Sequence, residues 1–150
     1  RLTLLRSPID PDLTADQGYH TSCYAIRPHK GGWAAAGTVQ AGYSLNVPLE
    51  AQFCPDAAAG SLPPEKSYFQ VSKENVILDT VKAAEDGGGI ILRLYESIGA
   101  KTRVSLESAL PLTEAWECNL VEENERPAEM DGNAISFEMH PFEIKTFRLR

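Results

Sequence analysis

The sequence predicts an all-β protein: an antiparallel β-sandwich with one helix in the connection near residues 33–45. Segment after segment alternates apolar and polar residues with period two, as a half-buried strand must. Turn-forming clusters separate these segments at roughly ten-residue spacing, the rhythm of a sandwich. One stretch alone, "WAAAGTVQAGYSLNVP", carries a helical period.

Taken in order, "LTLLRS" is strand-like from Leu2, and "SPIDPDLTADQG" is a loop by its prolines and aspartates. From Tyr19 to Arg27 the chain alternates again, with His20, Ser22, Tyr24 and Ile26 on one face. That face makes His20 a partly buried structural histidine. "HKGG" turns the chain into the helix, where Ala36, Val39 and Tyr43 share a side and Pro48 is the stop. Gly37 and Gly42 each weaken it by about 1 kcal/mol against alanine. "CPDAAAGSLPPEK" is a loop by composition.

The remainder is β. "SYFQVS" and "NVILDTVKAA" lead through the turn "EDGGG" to "IILRLYES". In "KTRVSLES" the inward set is Thr102, Val104 and Leu106. In "AWECNLVE" it is Trp116, Cys118 and Leu120, and in "AISFEM" it is Ile135, Phe137 and Met139. Glu122, Glu123, Glu125, Glu129 and Asp131 form an acidic, solvated connection. In "FEIKTFRLR" the alternation slips between Ile144 and Phe147, as a bulge would cause.

At 150 residues the chain has the size of one domain, 1–150, able to bury roughly 70% of its unfolded surface. A net charge of -7 argues against nucleic acid or an anionic membrane as partner. No apolar run has the length of a membrane span, and no leader pattern is seen. Cys23, Cys54 and Cys118 are widely spaced without a C-x-x-C pair, which fits a reducing, cytoplasmic setting. The chain opens on Arg1 with strand-like sequence at once, so a fragment of a longer protein is expected.

Chemistry-bearing residues are present, yet no constellation runs a reaction alone. Asp10, Asp12 and Asp16 fail the calcium-loop pattern, because Ala15 and Thr21 stand at its sixth and twelfth places. Asx turns account for them. His20, His29 and His140 lack the short spacing of a zinc site. No G-x-S-x-G elbow exists, and Gly87-Gly88-Gly89 precedes a strand where a phosphate loop needs a helix. Catalytic and metal residues are therefore expected to be none here. Trp33, Trp116, Tyr19 and Tyr43 leave open a non-catalytic carbohydrate-binding module, with Trp116 read as core and Trp33 undecided.

Several stretches together resemble the C-terminal region of glycoside hydrolase family 38, the α-mannosidases of cytoplasmic, vacuolar and bacterial type. They are "LTLLRSPIDPD", "ADQGYH", "YAIRPHKGGW", "VQAGYSLNVPL", "IILRLYE", "NLVEE" and "PFEIKTFRLR", in the family's order and spanning nearly the whole chain. The resemblance implies a longer enzyme that hydrolyses terminal α-mannosides with retention. It implies an N-terminal catalytic domain as partner, holding the nucleophile and a divalent metal, usually zinc. A mannose-containing oligosaccharide is the implied substrate. It leaves a homo-oligomer open. It also implies that Asp16, Gln17 and Gly18, and less directly His20, border the sugar pocket; an inter-domain packing loop is the alternative. Two positions depart from the family: Ser22 replaces a common aromatic, and Ile98 stands where His is frequent.

Overall fold

The computed structural model describes residues 2–53 and 63–150, and the chain forms two units, Arg1–Gln52 and Phe53–Arg150. Cys54 and most of the "CPDAAAGSLPPEK" loop lie outside the described residues.

The second unit is an antiparallel β-sandwich. Its strands are β1 Phe69–Val71, β2 Val76–Ala83, β3 Ile90–Glu96, β4 Thr102–Ser108, β5 Ala115–Cys118, β6 Asn124–Pro127, β7 Glu129–Asp131, β8 Ala134–Met139 and β9 Ile144–Leu149. One sheet has the order β1-β4-β8-β7, the other β2-β3-β9-β5-β6. The alternation in the sequence fixes which side chains face inward. Val104 and Leu106 from β4 and Ile135, Phe137 and Met139 from β8 form one wall of the core. Leu92, Leu94, Phe147 and Leu149 form the other. The rings of Phe137 and Phe147 meet between the sheets at 4.6 Å and 44°, a tilted pair of the favourable kind.

Three expectations are corrected. First, β9 runs in unbroken register against both β3 and β5, so it has no bulge. The apparent slip arises because Lys145, not Ile144, occupies the inward position, in phase with Phe147 and Leu149. The register shifts lie at Leu78/Thr80 and Glu117/Cys118. Second, β5 turns Ala115 into the core, which puts Trp116 and Cys118 on the opposite face; Leu120 lies beyond the strand and is 62% exposed. Third, the acidic connection is not simply solvated. It forms β6 and β7, carrying the chain from one sheet to the other, and Glu122 is buried.

The first unit differs in kind. Its helix, α1 Thr38–Asn46, begins later than the predicted 33–45 span, after turns over 33–37. Gly37 is the cause: at φ 62, ψ 39 it is left-handed, so a right-handed helix cannot run through it. Val47 closes the last turn by donating its N–H to the Tyr43 carbonyl, and Pro48 follows. "LTLLRS" and Tyr19–Arg27 alternate as expected but are not strands among the described residues. An extended segment without a neighbouring strand has no ladder to join. Leu4, Leu5, Tyr24 and Ile26 are accordingly exposed, and so is His20, which was expected to be partly buried. Ser22 likewise faces no packed interior.

Candidate functional site

The loop Asp10–His20 is built by local hydrogen bonds. Asp12 Oδ1 accepts from the Thr14 N–H and from its hydroxyl, both at 2.9 Å. The Ala15 N–H reaches the Asp12 carbonyl, and the Gln17 N–H reaches that of Thr14. Asp12, then, is the Asx-turn residue. Its two bonds from Thr14, the backbone one first, hold its carboxyl below the ordinary aspartate range.

Asp16 plays a different part. It sits at φ 57, a left-handed conformation that Asp tolerates better than most residues. Its carbonyl accepts from His20 Nε2 at 2.6 Å. Because a carbonyl only accepts, that nitrogen carries the proton and Nδ1 remains for another partner. Gly18, at φ 134, turns the chain between them. The structure therefore brings Asp16, Gln17, Gly18 and His20 into one short arc. Asp16 and His20 are exposed there, with carboxylate, amide and imidazole available for hydrogen bonds. Such a set suits vicinal hydroxyls rather than bond-making chemistry.

Two carboxylates of the second unit, Glu96 and Glu122, are structural anchors, which sequence reasoning missed. Glu96, the last residue of "IILRLYE", is 0% exposed. Its Oε1 accepts from Asn75 Nδ2 at 2.8 Å and the Ile98 N–H at 3.0 Å; Oε2 accepts from the N–H groups of Gly99 at 2.7 Å and Phe142 at 3.0 Å. Burial pushes this carboxyl upward, but the four donors, Phe142 foremost, outweigh burial and lower it to about 2. One side chain thus ties together the start of β2, the β3–β4 turn and the turn before β9. Gly99 completes the joint: at φ 79 it has the Phe142 ring where a Cβ would sit, 2.8 Å from Cζ. Ile98, in place of the family's frequent His, contributes only its backbone to this anchor. An acid ending an apolar strand, followed three residues later by Gly, was the available signal.

"NLVEE" is a second clamp. Asn119 Oδ1 accepts from the N–H groups of Val121 and Glu123. Glu122, at φ 68, takes Lys82 Nζ at 2.8 Å and the Glu85 N–H at 2.9 Å. Its carbonyl accepts from Arg148 Nη2 at 2.7 Å, while Arg148 Nη1 holds Asp86 at 2.6 Å. Hydrogen bonds from Lys82 and from the Glu85 amide keep the Glu122 carboxyl below its ordinary value. A general acid needs the opposite, a raised carboxyl. Among the described residues no group of three or more His, Cys, Asp or Glu is arranged to hold a metal ion, and no helix is long and apolar enough to cross a membrane.

Comparison with known proteins fits this geometry. Residues 75–147, all within the second unit, match the glycosyl hydrolases family 38 C-terminal beta sandwich domain. The chain is 38% identical to Alpha-mannosidase G of Dictyostelium discoideum over 98% of its own length. It is 39% identical to human Alpha-mannosidase 2C1 and 31% to the Alpha-mannosidase of Saccharomyces cerevisiae, each over 99% of its length. It spans only 14%, 14% and 15% of those relatives. Residues 75–147 therefore form a glycosyl hydrolase family 38 C-terminal β-sandwich domain, within a chain similar to α-mannosidases from end to end.

Proposed function

We propose that this chain is a C-terminal region of an α-mannosidase that releases terminal α-mannosides with retention of configuration. Its two units serve that region together. The nucleophile, the acid/base group and the divalent metal, zinc by resemblance, belong to an N-terminal catalytic part of the longer chain. The observation that carries the reading is the similarity to α-mannosidases along 98% of this chain within 14% of the relative. The sandwich is structural, as its locked carboxylates suit. The first unit lies against the catalytic part, which covers exposed side chains such as Leu4, Leu5 and Ile26, and the Asp16–His20 arc borders the sugar pocket. Cys23 and Cys118 are free thiols, in keeping with a cytoplasmic setting.

Asp16→Ala in the longer enzyme tests the pocket assignment. Loss of one hydrogen bond to a sugar hydroxyl, neutral or charge-assisted, lowers kcat/KM by roughly two- to hundredfold. Unchanged kinetics would retire that assignment and leave a packing loop. The chain alone is expected not to turn over an aryl α-mannoside, with or without added zinc. Metal-stimulated turnover by the purified chain would overturn the division of labour.

A further inference from the structure

Tyr19–Arg27 has the makings of a strand and lacks the partner that would make it one. Its nine residues lie between Gly18 and Pro28, an ordinary strand length with no proline inside. Tyr19, Thr21, Tyr24 and Ile26 are of the types that sheets favour. Tyr24 is 63% exposed and Ile26 90%. Among the described residues no backbone hydrogen bond ties the segment down.

The unit around it is composed for contact. It carries four basic and four acidic residues, whereas the sandwich unit carries ten basic and seventeen acidic. The whole net charge of -7 therefore sits on the sandwich. A neutral unit that shows Leu4, Leu5, Tyr24, Ile26 and Trp33 has the composition of an interface, where charge is depleted and aromatics gather.

What covers Tyr24 and Ile26 must satisfy the backbone too. Burying them in an extended chain strips water from the N–H and C=O groups between them, and those groups then need partners. A helix face has no free backbone groups to offer. A sheet edge presents a row of them at matching spacing. Among the described residues, the sandwich has only blunted edges: β1 and β7 have three residues each, β6 has four and ends on Pro127, and β2 shifts register at Leu78/Thr80. A second copy would bring the same edges. The relative that this chain matches along 98% of its length holds it in 14% of its own, which leaves most of such an enzyme to supply the edge.

We propose that Tyr19–Arg27 adds as a strand to a sheet edge in the preceding part of the longer enzyme. The inference rests on the α-mannosidase reading above and adds the mode of contact, backbone pairing where that reading needs only side-chain packing. Because the strand starts directly after Gly18, the pairing also sets the position of the Asp16–His20 arc.

Two measurements, each on the longer enzyme and on this chain alone, separate the contact from its mode. Hydroxyl-radical footprinting reads whether Tyr24 and Ile26 are covered, and residue-resolved hydrogen exchange reads whether the backbone is paired. In the longer enzyme both side chains should be shielded. At least every second amide of Tyr19–Arg27 should exchange about a hundredfold slower there than in this chain alone. Shielded side chains with amides exchanging alike in both proteins would overturn the strand and leave the packing reading intact. Side chains still open in the longer enzyme would sink both. Slow amides in this chain alone would assign the edge to its own sandwich, and slowing that fades on dilution would assign it to a second copy; either result also overturns the proposal.

Discussion

The two units carry similar sequence patterns and opposite burial. In the second, period-two alternation becomes paired strands around a core whose central side chains are almost wholly enclosed. In the first, comparable alternation over Tyr19–Arg27 yields no strand, α1 buries no residue, and no described residue is buried at all. The difference teaches that alternation is a request for a partner, not a structure. Sheet stability comes from cross-strand neighbours and the face they cover together.

The largest expected effect breaks the comparison if it is wrong. Phe147→Ala removes a ring that joins the two sheets and should cost about 3–5 kcal/mol in urea denaturation of the chain. Ile26→Ala, an exposed apolar residue of the first unit, should stay within about 0.5 kcal/mol. Comparable costs would mean that the first unit shares the cooperative core.

A second measurement sharpens the contrast through pH. Glu96 has a folded value depressed from 4.5 to about 2, so its contribution is fully present above 4.5 and lost as pH falls toward 2. The shift of a fully buried group corresponds to about 3 kcal/mol. Glu96→Gln should therefore destabilise the sandwich strongly at pH 7, and the gap to the unaltered chain should close near pH 2. A gap independent of pH would show that shape, not charge, makes the joint.

What was legible in the sequence follows from this physics. β4 and β8 were legible because their apolar residues recur with one phase and both neighbours exist, and β3 because its short apolar run follows a glycine turn. β5 was misread because its inward set is Ala115 and Glu117, a small residue and an acid, so the large Trp116 gave the wrong phase. β9 was misread for the same reason, since Lys145 is inward only by virtue of Glu117 across the sheet. Such pairings are properties of tertiary neighbours and leave no local trace. Of the candidate site, the presence of a turn over residues 10–20 was legible; which aspartate ties it was not.

The smallest expected effect separates those aspartates. Asp12 and Glu96 act alike, each carboxylate accepting from backbone N–H, one group for Asp12 and three for Glu96, but one is exposed and the other enclosed. Solvent competes with the first, so its removal should be felt locally. In Asp12→Ala, hydrogen exchange at the Thr14 amide should quicken by about two- to tenfold while the sandwich is unchanged. The bond is stronger to the ionised carboxyl, whose value is depressed, so protection should persist below the ordinary aspartate range and weaken on further acidification. Asp16→Ala should leave Thr14 alone, because the Asp16 carboxylate takes no part in the turn. Asp16→Asn keeps a residue that tolerates φ 57 and separates side-chain chemistry from backbone strain. Faster Thr14 exchange in Asp16→Asn would make Asp16 a second staple of the loop. A kinetic loss in the longer enzyme would then report a displaced loop, not a missing hydrogen bond to sugar.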